Sequence, residues 1–69
     1  MGIAQALYYD FKKCDCLNVE GEQETIPAGR YIVTEGEVVT VNAGTKTYEL
    51  DEDTFKSLRR QNIVTIPLL

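Results

Sequence analysis

The stretch that decides the fold is residues 26–41, which read IPAGRYIVTEGEVVTV. Two runs of β-branched and aromatic residues flank the pair Glu35-Gly36. Such residues fit a pleated, half-buried surface, and Glu-Gly can supply the positive φ of a tight reversal. The stretch therefore predicts a β-hairpin at the centre of the chain.

Turn signals stand on both sides of this hairpin. Pro27-Ala28-Gly29 suits a turn that leads into it, because proline presets φ and glycine accepts left-handed geometry. Asn42-Ala43-Gly44 ends it, and the chain then reverses into a strand over residues 45–49. The three strands predict a meander.

The pattern of the N-terminal part fits both a strand and a helix. Residues 3–11 alternate well enough for a strand, but Ile3, Leu7 and Phe11 also repeat at helical spacing. The aromatic residues favour a strand, and the alanines leave a short helix as the alternative. Residues 14–19 predict a second extended piece, and the polar, acidic GEQET at 21–25 predicts a solvated loop.

The clearest local signal predicts a helix at residues 52–61. Asp51 is a good N-cap, and Leu50 and Phe55 occupy the two positions of a hydrophobic staple. Acidic residues stand in the first turn and basic residues in the last, as the helix dipole favours. Asn62 can close the helix, and a strand at 63–66 follows, which a proline stops.

These elements predict one domain over residues 1–69, mostly β with one short helix, built as a small SH3-like barrel or a twisted β-meander. The order of strands with a helix before the last one resembles SH3-like small barrels in topology only. Residues 6–11, ALYYDF, resemble the opening segment of eukaryotic SH3 domains, but the chain has no tryptophan for a polyproline groove. The sequence is therefore assigned to no family.

Length and composition limit the class of protein and the compartment that we expect for it. A domain of 69 residues buries only roughly 60% of its unfolded surface, so we expect a partner chain or another reinforcement. Two cysteines do not make a disulfide scaffold, and the N-terminal segment has no basic region before its apolar residues. We expect no membrane segment and no secretion, and a location in the cytoplasm or within a virion.

The chain offers little for catalysis. It has no histidine, a single serine at Ser57 and no glycine-rich phosphate loop, so the common triads and histidine acid–base schemes lack their residues. Its carboxylates are scattered, as on a solvated surface. We expect neither an enzyme nor a bound cofactor.

Cys14 and Cys16 are the candidates for a metal site. On a strand both thiols would project to one face, but a structural zinc site needs four ligands, so the other two would have to come from a second copy. The competing interpretation is two small buried hydrophobes. A disulfide between them would close a strained ring and act as a redox device.

The candidate interaction residues are Lys56, Arg59 and Arg60, together with Leu68 and Leu69 at the C-terminal end. One interpretation is that the basic cluster interacts favourably with the negative end of the helix dipole. If the cluster has a binding role, it would contact an anionic group, either a nucleic-acid phosphate or an acidic surface of another subunit, such as residues 21–25. The two leucines are apolar and follow a proline.

The leading hypothesis is a non-enzymatic structural or protein–protein interaction module, which associates with copies of itself or docks on a larger assembly. Small viral or phage accessory proteins are an analogy for it. The alternative is a regulatory nucleic-acid-binding barrel that stacks bases on Tyr8, Tyr9 or Tyr31, although the net charge of −4 counts against it. An acidic inhibitor that mimics nucleic acid is a third hypothesis.

Overall fold

The computed structural model describes residues 5–67, with only the backbone of Gln5. The described residues form seven strands and one helix, which confirms the mostly β class with one short helix. In chain order these are β1 (Gln5–Phe11), β2 (Cys14–Leu17), β3 (Gln23–Ile26), β4 (Gly29–Glu35), β5 (Val39–Asn42), β6 (Thr47–Leu50), α1 (Glu52–Arg60) and β7 (Val64–Thr65).

The strands lie in two antiparallel sheets. Five strands form the main sheet in the order β6-β5-β4-β1-β7, and β2 and β3 form a two-stranded sheet. The predicted hairpin is β4–β5, in which Val33 pairs with Val41, and β6 extends it into the predicted meander. The predicted hairpin is thus confirmed, although neither Glu35 nor Gly36 has the positive φ that was expected of its turn.

The main sheet does not close into a barrel. Its two end strands, β6 and β7, do not pair with each other among the strands of residues 5–67. The last strand is shorter than the predicted 63–66, because only Val64 and Thr65 pair with β1 and Pro67, which lacks an N–H, follows closely. The described residues thus form an open five-stranded sheet and a two-stranded sheet, and the SH3-like barrel is not confirmed.

The undecided N-terminal segment is a strand from residue 5 onward, and residues 3 and 4 lie outside the described part. β1 lies between β4 and β7, with Tyr9 opposite Tyr31 and Phe11 opposite Val64. The inward residues Tyr9 and Phe11 are buried. Their burial in the core shows that this segment follows the period of a strand and not that of a helix.

The predicted solvated loop at residues 21–25 is wrong in its second half. Gln23, Glu24 and Thr25 belong to β3, which pairs with β2. The buried Ile26 anchors the strand, and Asn18 shapes the turn before it by accepting the N–H groups of Glu20 and Glu22. Because of these contacts the polar residues 23–25 form a strand, although their sequence lacks the alternating apolar residues of a strand.

The helix prediction is confirmed over Glu52–Arg60, with Gln61 as the C-cap. Its end is a Schellman motif: the N–H of Asn62 donates to the carbonyl of Arg59, and the N–H of Ile63 donates to that of Leu58. Asn62 has the left-handed φ of 61° that this motif requires. The predicted cap at Asp51 is wrong in one respect, because its side chain makes no capping hydrogen bond.

The core lies between the inner face of the main sheet, α1 and β2–β3. Leu50 and Phe55, the predicted staple, are both essentially buried. The Tyr9 and Phe55 rings pack edge to face with centroids 5.3 Å apart, which fixes α1 on the inner face. The buried residues are Tyr9, Phe11, Cys14, Ile26, Val33, Val39, Val41, Tyr48, Leu50, Phe55, Leu58 and Val64.

Candidate interaction surface

The predicted basic cluster is one continuous surface on α1. Lys56, Arg59 and Arg60 are exposed and together line an open depression of about 320 Å³. Residues three and four positions apart lie on one helix face, so the helical period itself brings the three together. We call these residues and the depression the basic surface.

The three cations are not equally engaged. Lys56 forms an ion pair with Glu52 at 2.8 Å, and this hydrogen bond is the main reason that the pKa of Lys56 is raised and that of Glu52 lowered. Arg59 and Arg60 form no ion pair with any residue in the described range 5–67. Their charges therefore face solvent or a partner.

Arg59 is held in place by an aromatic ring. Its guanidinium lies over the Tyr9 ring, 5.3 Å from the centroid. The Tyr9 hydroxyl donates to Oε2 of Glu35 at 3.2 Å, and burial followed by the charge of Glu35 raises the pKa of Tyr9. Since Tyr9 also packs on Phe55, Arg59 rests on a rigid part of the core.

The edge of β1 beside the basic surface is unpaired over most of its length. Among the described strands, β7 pairs only with Asp10 and Phe11. The N–H of Lys12 donates to the carbonyl of Ile63, which lies on the β7 side of β1. Backbone groups of alternate residues in a strand point to the same side, so those of Ala6 and Tyr8 also point to the β7 side. We call this stretch of β1 the open edge.

Apolar side chains surround the open edge. Leu7 is 46% exposed, and Tyr8 and Ile66 are each 59% exposed. Leu7 is on the inner face beside Tyr9, whereas Tyr8 is on the outer face opposite Ile32, which is also exposed. An unpaired strand edge with apolar neighbours is a common place for another chain to bind.

The opposite end of the main sheet carries an acidic turn, residues 17–22, which we call the acidic tip. Oδ1 of Asn18 accepts the N–H groups of Glu20 at 2.9 Å and Glu22 at 3.0 Å, and Gly21 has the left-handed φ of 81°. The N–H of Val19 donates to the carbonyl of Glu49 in β6. The tip is therefore fixed against β6, with Glu20 and Glu22 exposed.

Cys14 and Cys16 project to the same face of β2, as predicted. Cys14 is buried and Cys16 is half-buried, and both thiols are free. Burial is the main cause that raises the pKa of both thiols, and with Cys14 close by it raises the pKa of Cys16 to about 11. Both are thus protonated near neutral pH, and within residues 5–67 no third ligand completes a metal site with them.

The residues of the nucleic-acid hypothesis are not brought to one surface. Tyr8 is exposed on the outer face, whereas the basic surface belongs to α1 on the inner face. Tyr9 is buried, and the Tyr31 hydroxyl donates to the carbonyl of Pro27 at 2.7 Å. Among residues 5–67, only Arg59 combines a charge without an ion pair with an aromatic ring, and that ring, Tyr9, is buried.

Leu68 and Leu69, the remaining predicted interaction residues, lie outside the described residues. The sequence predicted an acidic contact surface at residues 21–25, which overlaps the acidic tip at residues 21 and 22, and it did not predict the open edge as a site. The Asn18 turn has a sequence signal, an asparagine three residues before a glycine, whereas the open edge depends on which distant strands pair and has none.

Comparison with known proteins finds no family model, no curated protein and no solved structure that matches the chain. Among residues 5–67, no helix is long and apolar enough to cross a membrane.

Proposed function

We propose that this protein is a non-enzymatic protein–protein interaction module, which acts through self-association or docking on a larger assembly. The observation that carries the proposal is the open edge of β1 with its exposed neighbours Leu7, Tyr8 and Ile66. Exposed backbone groups and apolar side chains at one place favour a protein partner over a small polar ligand.

The chemistry of the described side chains supports a role without catalysis. Histidine is absent, and the hydroxyl oxygen of the single serine, Ser57, accepts a hydrogen bond from Gln61 at 3.0 Å. The pKa values of the two thiols and of Tyr9 are raised, and burial is the main cause in each case. The Tyr9 hydroxyl does contact a carboxylate, Glu35, but this contact raises the pKa of Tyr9 and so does not activate it as a nucleophile.

A substitution at the open edge tests the proposal. We expect the native protein to associate reversibly as its concentration rises, and Tyr8→Glu to weaken this association by about tenfold or more, because a charge would enter an apolar contact. Sedimentation equilibrium measures the effect. Ala28→Glu, at an exposed position between β3 and β4, introduces the same charge away from the open edge and is the matched control.

Two outcomes would contradict the proposal. The first is a protein that stays monomeric at every concentration and has the mass of a free monomer when isolated from its source. The second is retention on single-stranded DNA at low salt, with a salt slope that falls by about 1.4 when Arg59 and Arg60 both become alanine, as two lost phosphate contacts require. That result would establish the nucleic-acid alternative.

A further inference from the structure

The basic surface and the acidic tip lie at opposite ends of the main sheet. The β1–β7 end carries the basic surface, and the exposed Lys12 and Lys13 follow β1 directly in the chain. The β6 end carries the acidic tip and the exposed Glu49 of β6 itself. The molecule is therefore electrically polarised across the width of its sheet.

Helix α1 reinforces this separation. It begins directly after the end strand β6 and finishes directly before β7, so it crosses the inner face from one end of the sheet to the other. Its acidic first turn, with Glu52 and Asp53, lies toward β6, and its basic last turn, with Arg59 and Arg60, lies toward β7. The charges along the helix thus have the same direction as those of the sheet.

Charges of the opposite sign at each end are mostly neutralised within the molecule. Lys46, near the acidic tip, binds Glu24 at 2.9 Å, and Asp10, near the open edge, binds Arg30 at 2.8 Å. Glu20, Glu22, Arg59 and Arg60 form no ion pair with any of residues 5–67. Among these four residues the unpaired charges are therefore negative at one end and positive at the other, whereas Glu35, which accepts the Tyr9 hydroxyl, is an unpaired carboxylate beside the basic surface.

Each end also presents exposed apolar side chains beside its charges. Leu17 and Val19 of the acidic tip are 55% and 36% exposed. At the other end, Leu7 and Ile66 accompany the basic surface. Apolar contact combined with opposite charge is the composition of a specific interface, in which charge sets orientation and apolar area supplies affinity.

We propose that the acidic tip of one copy binds the basic surface and open edge of the next copy, in a head-to-tail contact. This inference rests on the proposed function, because it names the partner and the two surfaces of the self-association. The occupant is a second copy, since both complementary surfaces belong to one chain. Two different surfaces make the contact heterologous, so repeated addition gives a ring or a filament.

Charge reversal at each end tests the contact. One variant carries Glu20→Lys and Glu22→Lys, and the other carries Arg59→Glu and Arg60→Glu. We expect the turn to survive the first pair: Glu22→Lys removes the 3.4 Å hydrogen bond from Nδ2 of Asn18 to Oε1 of Glu22, but Oδ1 of Asn18 still accepts the backbone N–H groups of both residues. Thermal melting followed by circular dichroism verifies that both variants fold.

We expect each variant alone to associate at least about tenfold more weakly than the native protein, and an equimolar mixture to regain most of the association. The mixture recovers because each variant retains the surface that its partner needs. Sedimentation velocity over a range of concentrations, at low and high salt, measures all of these states, and high salt should weaken the native contact.

The net charge makes the result specific. The two glutamate reversals remove the formal net charge of −4, so a general effect of charge repulsion would make that variant associate more strongly, not less. The single change Glu37→Lys, in the exposed β4–β5 turn, is the control and should leave association unchanged. If this control also abolishes association, or if the mixture fails to recover, the head-to-tail contact is wrong.

The remaining outcomes separate this inference from the proposed function. If the native protein associates and neither reversal weakens it, the head-to-tail contact is refuted while the interaction module stands. If the native protein is monomeric at every concentration, self-association and this contact are both refuted.

Discussion

Asn62 holds a backbone conformation that few side chains tolerate. Its φ of 61° lies in the left-handed region, where the Cβ of most residues approaches the following carbonyl oxygen. The Schellman motif requires this conformation, because it places the N–H of Ile63 on the carbonyl of Leu58. Asparagine is therefore well suited to this position between α1 and β7.

We expect Asn62→Ala to lower the free energy of unfolding by about 1 kcal/mol, the cost of left-handed geometry for an ordinary side chain. Asn62→Gly should leave stability unchanged or raise it slightly, because glycine accepts positive φ. Urea denaturation measures both values. Equal stability of the alanine and glycine variants would show that the helix end does not depend on this conformation.

The two structural asparagines differ in how far the sequence reveals them. Asn62 follows a complete helix signal, so its role as a helix stop was predicted. Asn18 shapes the turn between β2 and β3, but the following residues Gln23, Glu24 and Thr25 lack the composition of a strand. Turn chemistry alone does not indicate a strand, because the strand also needs its partner in β2.

Among the elements, α1 was predicted closely because its signals are local. The staple, the charged turns and the stop all lie within about a dozen residues of one another. β3 depends on pairing with β2 and on the burial of Ile26, and the length of β7 depends on pairing with β1. Elements that are fixed by distant partners are the ones whose bounds the sequence missed.

The N-cap Asp51 and the buried Phe55 of α1 should differ in energetic importance. Phe55→Ala should lower the free energy of unfolding by roughly 3–5 kcal/mol, because it empties a buried site and removes the edge-to-face contact with Tyr9. Asp51→Ala should cost at most about 1 kcal/mol, because this side chain makes no capping hydrogen bond and acts only through its charge. Denaturation of both variants gives the order, and a larger loss for Asp51→Ala would reverse it.

For the molecule as a whole, the sequence predicted the basic surface as a site, and it predicted an acidic partner surface at residues 21–25 that overlaps the acidic tip only at residues 21 and 22. Lys56, Arg59 and Arg60 are close in the chain, so their clustering follows from helical spacing. The open edge and the separation of charge across the sheet arise from the strand order, which joins residues far apart in sequence. No local pattern contains that order.

The buried thiols give the whole protein a dependence on alkaline pH. The pKa of Cys16 is raised from 9.0 to about 11 by burial, and those of Cys14 and Tyr9 are raised in the same direction. In each case the folded protein favours the neutral form. This contribution to stability is fully present below the unfolded pKa and is lost as the pH rises through the folded pKa.

We therefore expect the free energy of unfolding to fall between pH 9 and about pH 11, the interval that Cys16 sets. Cys16→Ala should reduce the slope over this interval, whatever its effect on stability at neutral pH. Urea denaturation at a series of pH values, with the thiols kept reduced, measures the slope. An unchanged slope in the variant would assign the alkaline loss to other groups.

The pairing of β7 with β1 has a consequence for the synthesis of the protein. β1 is the first strand to leave the ribosome among those described and β7 is the last, yet the two lie side by side in the sheet. A nascent chain whose residues 64 and 65 are still inside the exit tunnel therefore leaves the whole outer edge of β1 unpaired. Exposed strand edges in incomplete chains are prone to aggregation, so we expect Asp10 and Phe11, the part of the edge that β7 covers, to be protected only after β7 has left the ribosome.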